Sequence, residues 1–546
     1  MELTIGGLAS REEFERAGIG LPAFDVARMQ RDGRLDPRWV HIGPGNIFRI
    51  FIARLAQEMT AAGHRWPVTA VVPLDPVELD VQLARHDLMT LGVTLNPDGT
   101  RGLDVIAGVC EGLATRREED SLRFAEIARS DRAALVSLTI TEKGYAVRDS
   151  AGRLTGAVAE EIASDPRGRH SHAMALLAGF LLHRYEAGGA PITLLSCDNF
   201  SHNGDKLRDS VLTIVDGWTA AGSVPRGFAE WVKDREKVAF PISVIDKITP
   251  RPSESVAADL AGLGFSDMGV ETPVSTPLAG FVNSEPAEYL VVEDAFAAER
   301  PPFEDFGVHV VERRVCDDFE HMKVTTCLNP LHTALAVAGC LLRFPTIDSE
   351  MRDPALAALV HRLAWDEGLP VVVDPGIVAP ADFLTEVERV RFPNRYLPDD
   401  PARIAMDTSQ KLPIRFGETL KKYIDRGLDL DSLTAMPLVF ALWCRYLMGV
   451  ADDGAPFDLS PDPLLDELRE HVEPLELGDG ARTGSRDGAR EAEVHAALEP
   501  ILSNPAIFAV DLYDTPLAAK VEALFARLIA GTGAVRETLN EETDQK

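Results

Sequence analysis

Short apolar runs alternate with helical patterns over about residues 39–295 of this 546-residue chain, and this alternation constrains its fold more than any other feature. Apolar residues recur with helical spacing at 47–59 and 174–185. Six runs are short and rich in β-branched or aliphatic residues, as buried strands are: 39–42, 68–72, 134–141, 191–195, 240–245 and 289–292. Strands that alternate with helices predict an open α/β sheet.

Polar segments follow four of the predicted strands at the point where each strand ends. They are GPG at 43–45, TEKGY at 141–145, SCDN at 196–199 and DKITP at 246–250. In open α/β sheets, ligands bind at the carboxyl ends of the strands. We therefore expect these segments to lie on one edge of the sheet and to form a binding site there.

Strand patterns become rare after about residue 302, and long helical patterns replace them. These lie at 333–342, 354–365, 414–426, 432–447 and 516–528. The sequence thus predicts a polar lead-in at 1–38, an α/β domain at 39–300 and a mainly α-helical domain at 301–546. The glycine-rich, charged segment 476–491 is predicted to be a surface loop.

Composition restricts the possible partners. The formal net charge is −31, from 55 basic and 86 acidic residues, and so acidic a protein lacks the basic surface that nonspecific nucleic-acid or anionic-membrane binding requires. The six cysteines have no metal-finger spacing, so reduced core thiols are expected. The N-terminus lacks a signal peptide, and the longest apolar runs are too short to span a bilayer. These features predict a soluble, cytoplasmic protein. They leave its oligomeric state, monomer or dimer, open.

Gly43 and Gly45 stand between a predicted strand and a predicted helix. Glycine at such positions lets the backbone approach a pyrophosphate, and the helix N-terminus supplies partial positive charge. The third glycine of the usual dinucleotide fingerprint is missing, so this motif is weak by itself. Asp75 follows the second strand, where a carboxylate that binds the ribose hydroxyls favours NAD over NADP. The alternative for Asp75 is a solvated turn residue.

The segment EHMKVTTCLNPLH at 320–332 places Lys323 in surroundings apolar enough for a core. Burial lowers the pKa of a lysine, and a lysine that titrates near neutrality is a usable general base. The alternative is a buried amphipathic helix from which Lys323 reaches solvent. Asn329 precedes Pro330, which predicts a helix break with Asn329 as N-cap, Pro330 as first helical residue and His332 in the first turn.

Three further features allow both a functional and a structural interpretation. The amide of Asn199, at a strand end, either donates to a developing oxyanion or forms an Asx turn. Asp246 and Lys247 either line a ligand or form a simple surface pair. Arg403 and Lys411 lie eight positions apart, and they either grip the hydroxyls or carboxylate of a sugar or face solvent.

Taken together and in this order, the motifs resemble the polyol-specific long-chain dehydrogenase/reductase family. The matching segments are HIGPGNIFR at 41–49, TITEKGY at 139–145, SCDNFSHNG at 196–204, DKITP at 246–250, VVEDAF at 291–296, FEHMK at 319–323, LNPLH at 328–332 and RIAMDTSQK at 403–411. The resemblance covers about residues 40–415. It implies a metal-independent, NAD(P)-dependent oxidoreductase with an N-terminal doubly wound sheet of the Rossmann type, a mainly α-helical C-terminal domain and an active site between them.

The resemblance also implies roles for individual residues. Cofactor binding is implied for Gly43, Gly45, Asn46, Ile47, Phe48, Asp75 and Asp246. Catalytic roles are implied for Lys323, Asn199, Asn329 and His332, and substrate binding for Arg403 and Lys411. In that assignment the lysine is the general acid/base, the two asparagines hold the carbonyl or alkoxide oxygen, and the histidine orients the substrate. Independently of the resemblance, Glu320 lies one helical turn before the lysine, where it either relays protons or tunes the pKa of the lysine, or is part of a surface ion pair.

The variants CLNPLHTALA and TITEKGY resemble the hexuronate-reductase branch of the family. They imply reduction of the sugar acid D-fructuronate by NADH to D-mannonate, with NADP as a possible cofactor. The alternatives within the family are interconversion of fructose and mannitol, and tagaturonate or arabinitol chemistry. The alternative from another class is a non-catalytic NAD(H)-binding protein. Such a protein is expected to have lost the lysine or its partner amides, and this sequence retains all of them.

One departure from the family pattern concerns Lys323 and Asn329. The family encloses four residues between this pair, and here five are enclosed. One extra residue rotates the pair by about 100° on an ideal helix. We expect the predicted break before Pro330 to absorb this rotation.

Overall fold

The structure, a computed structural model, describes residues 1–397, 399–478 and 487–544. The chain divides into two compact units, Met1–Cys316 and Asp317–Lys546. The loop predicted at 476–491 falls for the most part outside the described residues.

The first unit is built on a six-stranded parallel sheet. Its strands are β1 (Trp39–Ile42), β2 (Val68–Val72), β3 (Val109–Ala114), β4 (Leu135–Leu138), β5 (Ile192–Ser196) and β6 (Val238–Ala239). The spatial order is β3-β2-β1-β4-β5-β6, and every neighbouring pair is parallel. This is the strand order of dinucleotide-binding folds, in which the chain reverses direction across the sheet between β1 and β4. The predicted Rossmann-type sheet is therefore confirmed.

Helices cover this sheet, and apolar side chains fill the space on both of its faces. Val40 and Ile42 pack in one buried cluster with the helix Ala173–Glu186, whereas Trp39 packs in another with the helix Ala53–Ala61. Alternate residues of one strand point to opposite faces, so a parallel sheet buried on both sides needs such continuous apolar runs. The other helices of eight or more residues in this unit are Val26–Leu35, Glu118–Arg129, Gly156–Ala163, Asn203–Ala220 and Glu254–Gly262, and shorter ones are Arg11–Arg16, Pro76–Gln82 and Phe228–Lys233.

Two smaller sheets depart from the single open sheet that the sequence predicts. One contains Ile19–Gly20, Arg101–Ile106, Thr90–Leu95 and Phe281–Ser284, and the other contains Ser243–Asp246, Tyr289–Glu293 and His309–Val311. The runs predicted at 240–245 and 289–292 are thus strands, but they pair antiparallel with each other outside the six-stranded sheet. The expectation that DKITP follows a strand of the main sheet was wrong, because a β-branched run favours a strand without specifying its partner.

Residues 1–38 also contribute more structure than a polar lead-in. They hold a helix, Val26–Leu35, and a short strand, Ile19–Gly20, that pairs with a neighbour far along the chain. Phe14 and Met29 are buried. The segment becomes part of the core through contacts with the rest of the unit, such as that of Phe14 with Phe265 and that of Ile19 with Leu103.

The second unit is mainly helical, as predicted, and its described residues contain no strand, only an isolated bridge between Val450 and Pro456. Its α-helices are Arg313–Met322, which begins in the first unit, and Asn329–Leu342, Ile347–Glu350, Pro354–His361, Pro380–Glu386, Pro401–Ile404, Thr408–Leu412, Glu418–Asp425, Ala435–Tyr446, Leu465–Val472, Asp487–Leu502, Pro505–Phe508, Leu517–Leu528 and Ala534–Thr543. Four π-helical segments interrupt or extend them: Lys323–Cys327, Arg362–Gly368, Val387–Arg391 and Pro413–Gly417.

One helical run among the described residues, Arg313–Leu342, is long and apolar enough to cross a membrane by length and composition alone. Its most apolar window is 72% buried within the protein. A core helix passes the same test, so this run is weak evidence for a membrane span.

Arg184 connects the segments that lead into β4 and β5, at the amino ends of the main-sheet strands. Its guanidinium is buried and donates to five backbone carbonyls, those of Ala128, Ser130, Ala133, Ala190 and Pro191.

We expect Arg184→Met to lower the free energy of unfolding of the first unit by about 2–4 kcal/mol, because buried carbonyls lose their donors. Urea unfolding measures this, and Arg153→Met, at an exposed site, is the matched control. Equal midpoints for the two variants would contradict the assignment.

Candidate functional site

The turn after β1 requires glycine at position 43. Gly43 has φ +81°, and a Cβ added there would lie 2.4 Å from the carbonyl oxygen of Thr139. Gly45 differs, because a Cβ added there would meet nothing within 4 Å. Helical structure begins at Asn46, and the amide of Arg49 donates to the carbonyl of Gly45. At the carboxyl end of β1 the turn therefore exposes backbone without side chains, followed by the N-terminus of a helix. Helix N-termini of this kind bind anions.

A chain of hydrogen bonds fixes this turn. The indole N–H of Trp39 donates to the Ser137 hydroxyl at 2.7 Å, and that hydroxyl lies 2.7 Å from Nδ1 of His41. His41 Nε2 lies 2.9 Å from the hydroxyl of Thr139, which donates to the carbonyl of Gly43 at 2.7 Å. Burial lowers the pKa of His41 to about 3, so its ring is neutral. One proton on Nε2 then satisfies every member of the chain.

The remaining residues implied to bind a cofactor take different positions in the first unit. Asp75 lies beyond the carboxyl end of β2, is exposed, and accepts the amide of Val77 at 3.0 Å as N-cap of a helix. The ring of Phe48 is buried against His41, with ring centroids 4.1 Å apart, so only its backbone can face a ligand. Ile47 is half-buried. Asp246 is buried at the end of a strand in the three-stranded sheet and not in the six-stranded one.

The segment after β5 holds a connection that sequence reasoning missed. The buried Asp198 carboxylate accepts the amides of Ile140 and Thr141 at 2.9 and 2.8 Å and the hydroxyl of Tyr145 at 2.6 Å. It thereby joins the carboxyl ends of β4 and β5. The neighbouring Asn199, the predicted oxyanion ligand, is exposed at the same end of β5. The SCDN motif drew attention to this segment. The sequence did not reveal, however, that its aspartate and not its asparagine forms the buried hydrogen bonds between the two strand ends.

In the second unit, Lys323 is the first residue of a π-helical turn. The amide of Leu328 donates to the Lys323 carbonyl at 3.0 Å, a five-residue step where an α-helix has four. The turn therefore contains the extra residue that separates Lys323 from Asn329, and the rotation is absorbed before the next helix starts. Lys323 is 3% exposed.

The predicted N-cap at Asn329 was wrong. Leu328 is the N-cap, Asn329 is the first residue of the helix, and Pro330 follows it. The predicted break lies one residue earlier, because Leu328 has a non-helical φ of −134° and its carbonyl already accepts the amide of His332 at 3.0 Å. The amide group of Asn329 consequently takes no part in capping.

His332 lies in the first turn of this helix, as predicted, among positive charges. Its Nε2 is 3.5 Å from a carboxylate oxygen of Asp399, which also pairs with Arg403. The pKa of His332 is lowered to about 3, first by burial and then by the nearby cations. Those cations are Arg415, Arg403, Arg391 and Lys411. The histidine is therefore neutral and can donate or accept one hydrogen bond without adding charge.

Two of these cations are held by backbone carbonyls. Lys411 donates to the carbonyls of Ile404, at 3.1 Å, and Met406, and burial lowers its pKa to about 8. Arg415 donates to the carbonyl of Asn329 at 3.3 Å and to the hydroxyl of Thr333 at 2.6 Å. The second unit thus brings together four predicted residues, Asn329, His332, Arg403 and Lys411. It adds Asp399 and Arg415, which no motif singled out.

The family description "Mannitol dehydrogenase Rossmann domain" matches residues 37–305, and "Mannitol dehydrogenase C-terminal domain" matches residues 316–522. The chain belongs to the mannitol dehydrogenase family. It is accordingly an oxidoreductase, and the family resemblance of its motifs is confirmed.

Relatives within the mannitol dehydrogenase family include enzymes of two names. The chain is 44% identical to a D-mannonate oxidoreductase of Thermotoga maritima over 99% of each chain. It is 31% identical to a mannitol 2-dehydrogenase of Cereibacter sphaeroides, over 80% of this chain and 87% of that one. Among solved structures, the Pseudomonas fluorescens mannitol 2-dehydrogenase in ternary complex with NAD and D-mannitol matches with a TM-score of 0.66 at 25% identity, covering 99% of both chains. A substrate-free D-sorbitol dehydrogenase shares the fold, with a TM-score of 0.75 at 22% identity over 97% of this chain and 98% of that one.

The neutral state of His332 makes stability depend on pH. Its pKa is about 3 in the folded protein and about 6.5 in an unfolded chain, so between these values the unfolded state binds the extra proton. The free energy of unfolding of the second unit is expected to fall as the pH is lowered through this window, by at most about 1.4 kcal/mol per pH unit from this residue.

Urea unfolding at about pH 7 and about pH 5 measures this dependence. His332→Gln removes the titrating group and is expected to reduce the difference between the two conditions. His361→Gln replaces an exposed histidine of the same unit and should leave the wild-type difference unchanged. The same pH dependence in wild type and His332→Gln would show that this ring does not stay neutral through burial.

Proposed function

We propose that this family member reduces the sugar acid D-fructuronate to D-mannonate with NADH, and catalyses the reverse reaction with NAD. The observation that supports a carboxylate-bearing substrate is the group of cations around His332, in a protein whose net charge is −31. Positive charge gathered at one place in so acidic a chain suits an anionic ligand. The relative named D-mannonate oxidoreductase, 44% identical over its whole length, supports the same choice.

Mannitol 2-dehydrogenase activity is the second candidate, and tagaturonate reduction is another alternative. The first is favoured by the relatives of that name, at about one third identity over most of the chain. Fructose and mannitol carry no charge, however, and give Lys411 and Arg415 no anionic ligand. The charge distribution therefore ranks the sugar acid first.

The turn after β1 fits a dinucleotide. Gly43 and Gly45 leave backbone bare at the start of a helix, and Asp75 stands beyond β2, where an acidic residue holds the ribose hydroxyls of NAD. We assign cofactor binding to these residues together with Asn46 and the backbone of Ile47 and Phe48, and keep Asp246 as a further candidate. When bound, the nicotinamide supplies the hydride that reduces the substrate carbonyl.

The chain's own residues handle the proton and the geometry. We assign to Lys323 the donation of a proton from Nζ to the carbonyl oxygen during reduction, and its removal during oxidation. The amides of Asn199 and Asn329 donate to the same oxygen and stabilise its developing charge. Neutral His332 orients the substrate, and Arg403 and Lys411 bind its distal groups. Glu320, one turn before Lys323, is the candidate relay for the proton.

Replacement of Lys323 tests its role. We expect Lys323→Ala to lower kcat by about 100- to 10,000-fold, because a general acid/base contributes that much, while NADH still binds. Stopped-flow absorbance gives the rate, and quenching of protein fluorescence gives NADH affinity. Lys421→Ala, at an exposed lysine paired with Glu418, is the control and should keep the wild-type rate. Wild-type kcat in Lys323→Ala would remove this lysine from the mechanism.

Substrate choice is tested directly with the wild-type protein. NADH oxidation is followed with D-fructuronate, D-tagaturonate and D-fructose side by side. A kcat/KM for D-fructuronate higher by at least about 100-fold, equivalent to about 3 kcal/mol, is the expected result. A preference for D-fructose would overturn the proposal and favour the mannitol activity. A preference for D-tagaturonate would retain the sugar-acid class and change the substrate.

A further inference from the structure

Arg415 carries a charge that the protein does not neutralise. Its side chain is half-buried, and desolvation lowers its pKa to about 10 with no opposing contribution from an acidic group. No carboxylate of the described residues lies within ion-pair distance of it. A cation taken out of water without a partner is costly, so its position calls for a ligand.

Two hydrogen bonds hold this guanidinium by one nitrogen. Nη1 donates to the Thr333 hydroxyl at 2.6 Å and to the Asn329 carbonyl at 3.3 Å. Thr333 in turn donates to the same carbonyl at 3.0 Å. Within the part of the chain that the structure describes, Nε and Nη2 make no hydrogen bond, and neither is sealed from solvent. One side of the planar group is thus anchored beside Asn329, and the other side is open.

The neighbouring cations are occupied in different ways. Arg403 already pairs with Asp399. Lys411 donates hydrogen bonds to the carbonyls of Ile404 and Met406, and these bonds orient its side chain. The π segment that contains Arg415, Pro413–Gly417, packs against the π segment that begins with Lys323. Arg415 therefore adjoins both the asparagine and the turn of the proposed acid/base, and no carboxylate of the described residues neutralises it.

We propose that Arg415 binds the substrate carboxylate through its open Nε–Nη2 edge, and that this contact selects sugar acids over uncharged sugars. The inference rests on the proposed function. An arginine edge matches a carboxylate with two parallel hydrogen bonds, which a lysine cannot reproduce. Lys411 supplies a second positive charge, and an uncharged ketose leaves Arg415 without a counter-ion.

The expected signature is a change in substrate preference. Arg415→Gln should lower kcat/KM for D-fructuronate by about 100-fold or more, mainly through a higher KM, because a charged hydrogen-bonded contact is lost. Its kcat/KM for D-fructose should stay within about threefold of wild type, because that substrate makes no ionic contact there. Arg415→Lys keeps the charge without the two-bond edge and should fall between the two.

Controls separate this effect from general damage. Arg426→Gln removes one charge from an exposed arginine of the same unit and should behave as wild type with both substrates. Thr333→Val keeps the guanidinium but removes the hydroxyl that anchors it, and should raise KM for D-fructuronate selectively. If Arg415→Gln does not fold, as judged by circular dichroism, Arg415→Lys and Thr333→Val decide the question.

The outcomes distinguish the two proposals. A wild-type preference for D-fructose overturns the proposed function. A wild-type preference for a sugar acid, with equal losses for D-fructuronate and D-fructose in the Arg415 and Thr333 variants, leaves the function standing and overturns the role of Arg415. Selective loss with the sugar acid supports both.

Discussion

The hydrogen-bond chain from Trp39 through Ser137, His41 and Thr139 to Gly43 is the constraint on which the first unit depends. It links β1 to β4, the two strands between which the chain reverses direction across the sheet, and it ends on the carbonyl of Gly43, in the turn that we propose binds the cofactor. The Trp39 indole only donates, the Gly43 carbonyl only accepts, and each group between them both donates and accepts, so the buried chain restrains the turn. Asp198 makes the corresponding connection between β4 and β5. The binding edge is thus set by buried polar contacts, and the apolar clusters on either face support them.

Much of the fold could be predicted from the sequence, because continuous apolar runs and helical spacing identify buried strands and amphipathic helices. The strands β1, β2, β4 and β5 and the helices around them lie close to their predicted positions. Strand partners could not be predicted, since the run at 240–245 resembles the others yet pairs in a separate sheet. The packing of residues 1–38 was missed for a related reason: a few apolar side chains become core only when distant segments cover them.

The candidate site could likewise be predicted only in part from the sequence. Motifs identified Lys323, Asn329, His332, Arg403 and Lys411 in the second unit, and the last four of these lie close together; their roles are part of the proposal. No sequence motif singled out Arg415 or Asp399. An arginine in a helical pattern is ordinarily a solvated or paired surface residue, and what distinguishes Arg415 is the lack of a carboxylate nearby. That lack is a property of three-dimensional surroundings, which spacing along the chain does not encode.

The π turn at Lys323–Cys327 has a consequence for how such proteins are compared. A residue inserted into an α-helix normally turns every later side chain to a new direction, so insertions there are rare. A π turn, together with the non-helical Leu328 that ends it, places the additional residue within a short stretch between two helices. Family members can therefore differ by one residue inside this helix and still present the same side chains to the same partners. A pattern that demands a fixed interval between the lysine and the asparagine will overlook them.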